Sequence, residues 1–560
     1  MKILYAGLTA IALFVASPAF AAEGDFQRCD GYGAPSAKAD GMTTSTWLWG
    51  LATQSADIRK NDAADFGAAA LAACDRALVD PLLLPAFQLR QAHLLQAKEL
   101  NQIAVAAPER AIETLTVSDS IAAEVTGRNF QDSIGIGNHA VRAFALIDLG
   151  RKTEALKEIA AIEAARPYAH SITALANVAQ LKLDSGLGAH LALLKRQAPL
   201  FPNGLIFYFH YALTSNHLAE AAEIGSGLTF ELPRTRGNWT VEGEARLQYE
   251  LIAIRAEIAG AFAYALVATG KPDAAAAILA AAQRDLADAM SPPPPPVEGR
   301  KLSKSVVADF DSRTTQGKEG LATLDIWIAL IKLRKDAAGM TPDQLFAAVR
   351  ALPKGRVLVI ADLVMQLKTS GADDEAARNA FVARLLATTD EQRLSDVRRD
   401  LTALRAALPR PETASMQPRL KRAGDGYFLS DNGFSRKRMD EDGKWTIRFT
   451  HNLASKATVE EMALLSAALE SRREGNDGLL ILSSRTLVRT TRMVGYGYGY
   501  GGGTEIPSGH EAQFNVLFVK GGALPQAYRD CGWRVLNAAK VIEDLSARYP
   551  ITEKAEQKAR

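Results

Sequence analysis

The residues that first invite a chemical reading are Gly495-Tyr496-Gly497-Tyr498-Gly499-Tyr500-Gly501-Gly502-Gly503. Gly497, Gly499 and Gly502 satisfy G-x-G-x-x-G, the spacing that lets a backbone approach a pyrophosphate at the start of a helix. Thr504-Glu505-Ile506-Pro507 follows instead of a helix N-terminus, so the dinucleotide reading fails on context. Alternating glycine leaves the backbone too free to specify one shape, and the expectation is a mobile loop between strands. The alternative use of the same residues is a binding loop in which Tyr496, Tyr498 and Tyr500 stack on sugar rings or on a partner.

The histidines form no ligand pair. His210 and His217 lie two helical turns apart with no cysteine nearby. His510-Glu511 is a neighbour pair too common to argue acid–base chemistry. No G-x-S-x-G elbow occurs, and the serines and cysteines show no triad signature. No catalytic, cofactor-binding or metal residue is therefore assigned, and no cofactor is expected.

The ends and the composition bound the class. Lys2, the apolar run Ile3 to Val15 and Ser17-Pro18-Ala19-Phe20-Ala21 read as a signal peptide over residues 1–21, with cleavage after Ala21. An uncleaved anchor is the alternative. No later stretch approaches the roughly 20 uncharged residues of a transmembrane helix, so a mature protein exported to the periplasm is expected, without a membrane span. The formal charge is +2 with both signs mixed along the chain, which argues against a nucleic-acid or anionic-membrane partner. In an oxidising compartment Cys29 and Cys74 are expected to pair, leaving Cys531 as a buried thiol outside the disulfide. Cys29 comes too late after the cleavage site to be a lipidated cysteine.

Stepping along the 560 residues, two or three domains are expected. Residues 22 to 60, with Gly31, Gly33, Pro35 and Gly41, read as an irregular lead-in, and helical spacing begins at Asp65. Ala140 to Ile162 forms a helix-turn-helix hairpin with Gly150 at the turn. Comparable turns fall at Gly186, Asn216 and Gly270, at spacings of 36, 30 and 54 residues. The first two bracket the period of roughly 34 residues of tetratricopeptide repeats; the third implies an insertion near Phe230 to Val241. With Ala143, Leu146, Gly150 and Ala155 in place, and Tyr264, Gly270 and Ala274 falling similarly, residues 65 to 290 resemble the tetratricopeptide family. They lack the tryptophan that opens its motif. The resemblance implies a concave surface that binds a peptide or protein, with a plain helical bundle as the alternative.

Pro292 to Pro296 mark a stiff linker over residues 291–319, a better account than a PxxP ligand. A second helical region is expected over 320–408, where Thr341-Pro342-Asp343-Gln344 supplies an N-cap, a proline at N1 and a glutamine at N3. Pro409, Pro411 and Pro418 then make a solvated linker over 409–425.

From 426 to 560 the period changes. Trp445, Ile447 and Phe449 alternate with polar neighbours as a half-buried strand. Thr458 with Glu461 reads as a capping box opening a helix, and Leu479 to Leu482 as a strand buried on both faces. That order suggests a parallel pair with a right-handed crossover. A further strand follows at Gln513 to Val519, and a closing helix is expected to bury Val535, Ala539, Ile542 and Leu545. Trp445 to Phe449, Asn452, Thr458, Ala463 to Leu465, Ala467-Ala468, Gly475 and Asp477 resemble a group of proteobacterial envelope lipoproteins of unknown function over residues 427 to 548. That resemblance implies an envelope location and carries no catalytic residues.

The expected fold class is thus mainly α: a helical-hairpin repeat array over 22–290, a second helical region, and a small C-terminal α+β domain. The expected function is a periplasmic interaction scaffold with a protein or peptide partner. An envelope hydrolase or cell-wall enzyme with an unrecognised active site is the alternative.

Overall fold

The computed structural model describes residues 19–36, 40–42, 44–47, 52–55, 66–122, 129–183, 188–202, 204–214, 216–228, 242–293, 295, 301–352, parts of 360–387, 400–412, 417–423, 432–439, 443–493 and 504–551. The chain is mainly helical and ends in a small antiparallel sheet. No described helix is long and apolar enough to cross a membrane.

The irregular lead-in expected over 22 to 60 is instead opened by helix α1, Ala19–Asp30. Gly31, Gly33, Pro35 and Gly41 all lie beyond Asp30, and Gly31 stops the helix with a φ of 84°. Phe26 and Cys29, three residues apart, bury one face of α1 against helix α2, Ala68–Leu78. The short strands β1, Thr44–Trp47, and β2, Ala52–Ser55, pair antiparallel in the same span.

Helices α3 (Gln88–Ala104), α4 (Pro108–Ala122), α5 (Ile136–Asp148), α6 (Lys152–Ala165) and α7 (His170–Leu183) follow. Their apolar faces share one core around Leu115, Phe144, Ile159 and Leu175. Gly150 closes the α5–α6 turn at φ 72°, with Arg151 N donating to Leu146 O at 2.8 Å. The same six-residue closure recurs at Asn216, where His217 N bonds Ala212 O, and at Gly270, where Lys271 N bonds Leu266 O. All three residues take the left-handed conformation that ends a helix by returning its last carbonyls to the backbone. The turn expected at Gly186 lies outside the described residues, as does the stretch from Phe230 to Val241.

A second core runs from Ala198 to Val382, crossing the boundaries expected at 290 and 320. It joins α9 (Gly204–Thr214), α10 (Leu218–Ser226), α11 (Glu242–Ala268), α12 (Pro272–Ala289), α13 (Lys304–Asp336) and α14 (Pro342–Arg350). Between the two cores, α8 spans Gly188–Gln197. Helix α13 begins inside the span read as linker, because Ser303 caps it by accepting from Val306 N. The Thr341–Gln344 capping box forms in full.

After α15, Leu401–Ala407, the sheet comprises β3 (Gly433–Arg438), β4 (Lys444–His451), β5 (Gly478–Met493), β6 (Thr504–Val519) and β7 (Leu536–Asn537). Its order is β3-β4-β6-β5-β7 and every pairing is antiparallel. The expected parallel pair does not form: β6 inserts between β4 and β5, pairing with both. Helices α16, Lys456–Arg473, and α17, Ala538–Ser546, cover one face over Ile447, Phe449, Leu479, Ile481, Phe514 and Val516. Two details differ from expectation. Ser455, not Thr458, caps α16, and α17 buries Ala538, Val541 and Leu545, so its apolar stripe is turned by about one residue.

Helices α11 and α13 touch through Gly260, where an added Cβ would penetrate the ring of the fully buried Trp327. Replacing Gly260 by alanine is expected to cost about 1 to 3 kcal/mol of overpacking strain. Thermal unfolding checks this; an unchanged midpoint would show that the helices part freely.

Candidate functional site

The C-terminal sheet domain and the helical body meet over charged side chains buried from water. Arg166, directly after α6, is 1% exposed. Its Nη2 donates to Glu461 Oε2 at 2.7 Å, to Thr458 Oγ1 at 3.0 Å and to Tyr549 Oη at 2.9 Å, while Nη1 reaches Asp132 O at 3.3 Å. Arg548 ties Glu461 Oε1 to Asp132 Oδ1, each at 3.0 Å. Burial alone pushes the Glu461 carboxyl up; Arg166, Arg548 and the Tyr549 hydroxyl outweigh it and hold the group below the ordinary carboxylate value. A second carboxyl, Glu412, is 4% exposed and accepts from Thr458 Oγ1 at 2.8 Å. Burial dominates there, and the Arg166 charge only partly offsets it, so Glu412 sits above the ordinary value. Next to this junction Glu460 accepts from Ser171 N, Ser171 Oγ and Thr486 Oγ1.

The expected solvated linker over 409–425 is therefore corrected at its start. Pro411 and Glu412 are buried because Glu412 is drawn to Arg166 and Thr458. The segment from Asp400 to Glu412 becomes a strap. Asp400 caps α15, Leu404 enters the helical core and Glu412 fixes the far end in the junction.

Beneath the strap lies a small cleft of about 50 Å³, open on one side, with Leu408, Pro409 and Arg410 forming one wall. The opposite wall is a chain of polar contacts centred on Asp30, the last residue of α1. Its Oδ1 accepts from Arg90 Nη2 at 3.1 Å and from Tyr32 N at 3.0 Å, and its Oδ2 faces His93 Nδ1 at 3.0 Å. Arg90 and Asp30 are both fully buried. The Arg90 guanidinium also stands over the rings of Phe26 and Tyr32, at 5.5 and 5.2 Å, an attraction that offsets its unbonded Nε and Nη1. Because Asp30 takes Nδ1, the imidazole of His93 is oriented and Nε2 is the nitrogen left for the cleft. A cleft this small, lined by polar and apolar groups alike, admits one polar group of a partner rather than a whole ligand.

No family model, curated protein or solved structure matches the chain.

Of the residues singled out in the sequence, Cys29 and Cys74 are disulfide-bonded, joining α1 to α2. Cys29 precedes Asp30 and itself lines the cleft. Tyr496, Tyr498 and Tyr500 lie outside the described residues, beyond the last paired residues Met493 and Thr504 of β5 and β6. His510 is occupied by Ala454 O at 3.0 Å. His217 sits exposed beside Glu220, and His210 packs edge-on to Phe209. Among the described residues no group of histidine, cysteine and acidic side chains could hold a metal ion. In the sequence, Asp30, His93, Arg166 and Glu412 go unmarked, and Glu461 enters only as the capping partner of Thr458. The one signal was Glu460-Glu461 beside the apolar run Met462 to Leu465, a placement that demands partners if the helix packs there.

Arg166→Met should cost about 3 to 5 kcal/mol, since it strands a buried carboxylate. Chemical denaturation measures it, and a loss below about 1 kcal/mol would reduce the junction to a surface contact. The two carboxyls carry opposite pH signs. Glu461, held low, contributes stability that is complete above the ordinary carboxylate value and is lost as pH falls through its lowered value. Glu412, held high, contributes stability present below the ordinary value and lost as pH rises through its raised one. Comparing wild type with Glu461→Gln from about pH 5 to about pH 3 should show a shallower acid loss in the variant; parallel curves would contradict it.

Proposed function

We propose that this protein is a binding scaffold of the cell envelope, and that the cleft between α3 and the strap is where it holds a polar group of a peptide or protein partner. The single observation that carries this reading is the His93–Asp30–Arg90 relay, which presents one oriented imidazole nitrogen at a small cleft. With Nδ1–H donated to the Asp30 carboxylate, the neutral ring leaves Nε2 as an acceptor for an N–H, the group every peptide offers. The envelope location rests on the signal-type N-terminus and on the Cys29–Cys74 disulfide, a bond that persists in oxidising compartments. The helical-hairpin turns at Gly150, Asn216 and Gly270 support a repeat-type body of tetratricopeptide kind.

A second reading, an envelope hydrolase, draws on the same pair, because a carboxylate-oriented imidazole is the arrangement of a general base. No serine lines the cleft and its one cysteine is disulfide-bonded, so the nucleophile would be water.

A photo-crosslinking residue placed at Phe66, which is 37% exposed and lines the cleft, should capture a partner in the envelope of living cells. Adding His93→Ala should remove that crosslink in a protein that still folds, at a stability cost of about 1 to 3 kcal/mol for the Asp30 oxygen left unpaired. Crosslinks that persist in the His93→Ala background would move recognition away from the cleft. A His93→Asn protein that still captures its partner but releases no cleaved product, where wild type does, would favour the hydrolase.

A further inference from the structure

The cleft is unevenly charged, and the strap makes it so. From Asp400 to Glu412 the ionisable residues are Asp400, Arg405, Arg410 and Glu412. The two acids are used at the strap's ends. Asp400 Oδ1 accepts from Ala403 N at 2.7 Å to cap α15, and Glu412 is turned into the junction, accepting from Thr458 Oγ1. The two arginines lie between them, and both line the cleft. The facing wall contributes one acid, Asp30, whose oxygens serve Arg90 Nη2, Tyr32 N and His93 Nδ1. The Arg90–Asp30 pair is fully buried and neutral overall. The lining is therefore positive: two arginines against one carboxylate, and that carboxylate belongs to Arg90.

Arg405 is also held in a defined plane. Its guanidinium stands over the ring of Phe66, 4.7 Å from the centroid, and Phe66 lines the cleft with it. Stacking engages the flat face of a guanidinium; its N–H donors lie in the plane, in the fork that fits the two oxygens of a carboxylate. From α3, His93 presents an acceptor, Nε2, once Nδ1–H is given to Asp30. An occupant suited to both walls supplies an anion toward the strap and an N–H toward α3. We propose that the cleft recognises a carboxylate of a peptide, held by Arg405 and Arg410, with the amide N–H of the same residue bonded to His93. A chain-terminal residue carries both groups on one Cα, whereas an aspartate or glutamate side chain sets its carboxylate farther from the amide. The volume of about 50 Å³ suits a carboxylate better than a larger anion. This inference rests on the cleft being the binding site and adds what that site selects.

The test is a titration of the full-length mature protein with isotope-labelled histidines, followed at the imidazole nitrogens. The His93 signals are assigned by their loss in His93→Asn. The probes are N-acetyl-alanyl-alanine, the same dipeptide amidated at its C-terminus, and C-terminally amidated N-acetyl-alanyl-glutamate, whose one carboxylate is on the side chain. At least one acid is expected to shift His93 Nε2 saturably, with the neutral amide binding roughly tenfold more weakly or worse. Arg405→Gln/Arg410→Gln should remove most of that difference, with the melting temperature as the folding control. Arg405→Lys/Arg410→Lys keeps the charge, loses the planar fork and should fall between the two; it carries the comparison if the glutamine pair does not fold. Preference for the first probe assigns the carboxylate to a chain terminus, and preference for the glutamate probe to a side chain. Equal binding of acid and amide, or acid binding unchanged in the arginine variants, overturns the inference and leaves the cleft as a site. Silence toward all three probes overturns it too, and the Phe66 crosslink decides separately whether the cleft reading falls with it.

Discussion

The contact between Arg166 and Glu461 is the constraint on which the assembly of this molecule rests. Two opposite charges withdrawn from water cost several kcal/mol each, and only a complete set of partners repays them. Here the partners come from three stretches of chain: Asp132 and Arg166 from the helical body, Glu412 from the strap, and Thr458, Glu461, Arg548 and Tyr549 from the C-terminal domain. No small sliding of one part on another keeps those bonds, so the junction admits one arrangement. Apolar contacts support it, with Tyr168 and Leu200 packing on the sheet domain's core. A second buried arginine, Arg534, bridges Gly227 O of the helical body and Ile481 O of β5.

The cleft inherits its shape from that junction. Its outer wall, Leu408 to Arg410, is held only a few residues from Glu412, so the wall stands where the buried carboxyl puts it. Its inner wall is set independently by the disulfide, which fixes the end of α1 and with it Asp30. Asp30 then divides its oxygens between Arg90 and His93. A recognition group placed between two separately anchored walls is preorganised, and little conformational entropy is left to lose on binding.

Local structure was largely legible in the sequence and long-range pairing was not. Gly150, Gly270 and Asn216 announced turns because a left-handed residue at a helix end is a local requirement. The Thr341–Gln344 box did the same for α14. The alternation around Ile447 and Phe449 named a strand, but the position of β6 between β4 and β5 depends on which edges meet, and no local pattern encodes that. Thr458 and Glu461 carry the spacing of a capping box, yet tertiary partners claim both: Glu461 faces Arg166, 295 residues away in sequence. Glu412 sits among prolines that suggested solvent, and the cue that it is buried lies on other elements. The helix Ala19–Asp30 was hidden by Gly24 within it and by the glycines that follow it, although it also holds good helix formers such as Ala21, Ala22, Glu23, Gln27 and Arg28.

The central claim is that helical body and sheet domain open as one unit because Arg166 locks them. Native-state hydrogen exchange of the intact protein, followed across a denaturant series, tests it most directly. If the claim holds, amides of His170–Leu183 and of Lys456–Arg473 exchange through the same opening, with one free energy and one denaturant dependence. Exchange of Lys456–Arg473 at low denaturant, while His170–Leu183 remains protected, would contradict it and leave the cleft's outer wall without its anchor.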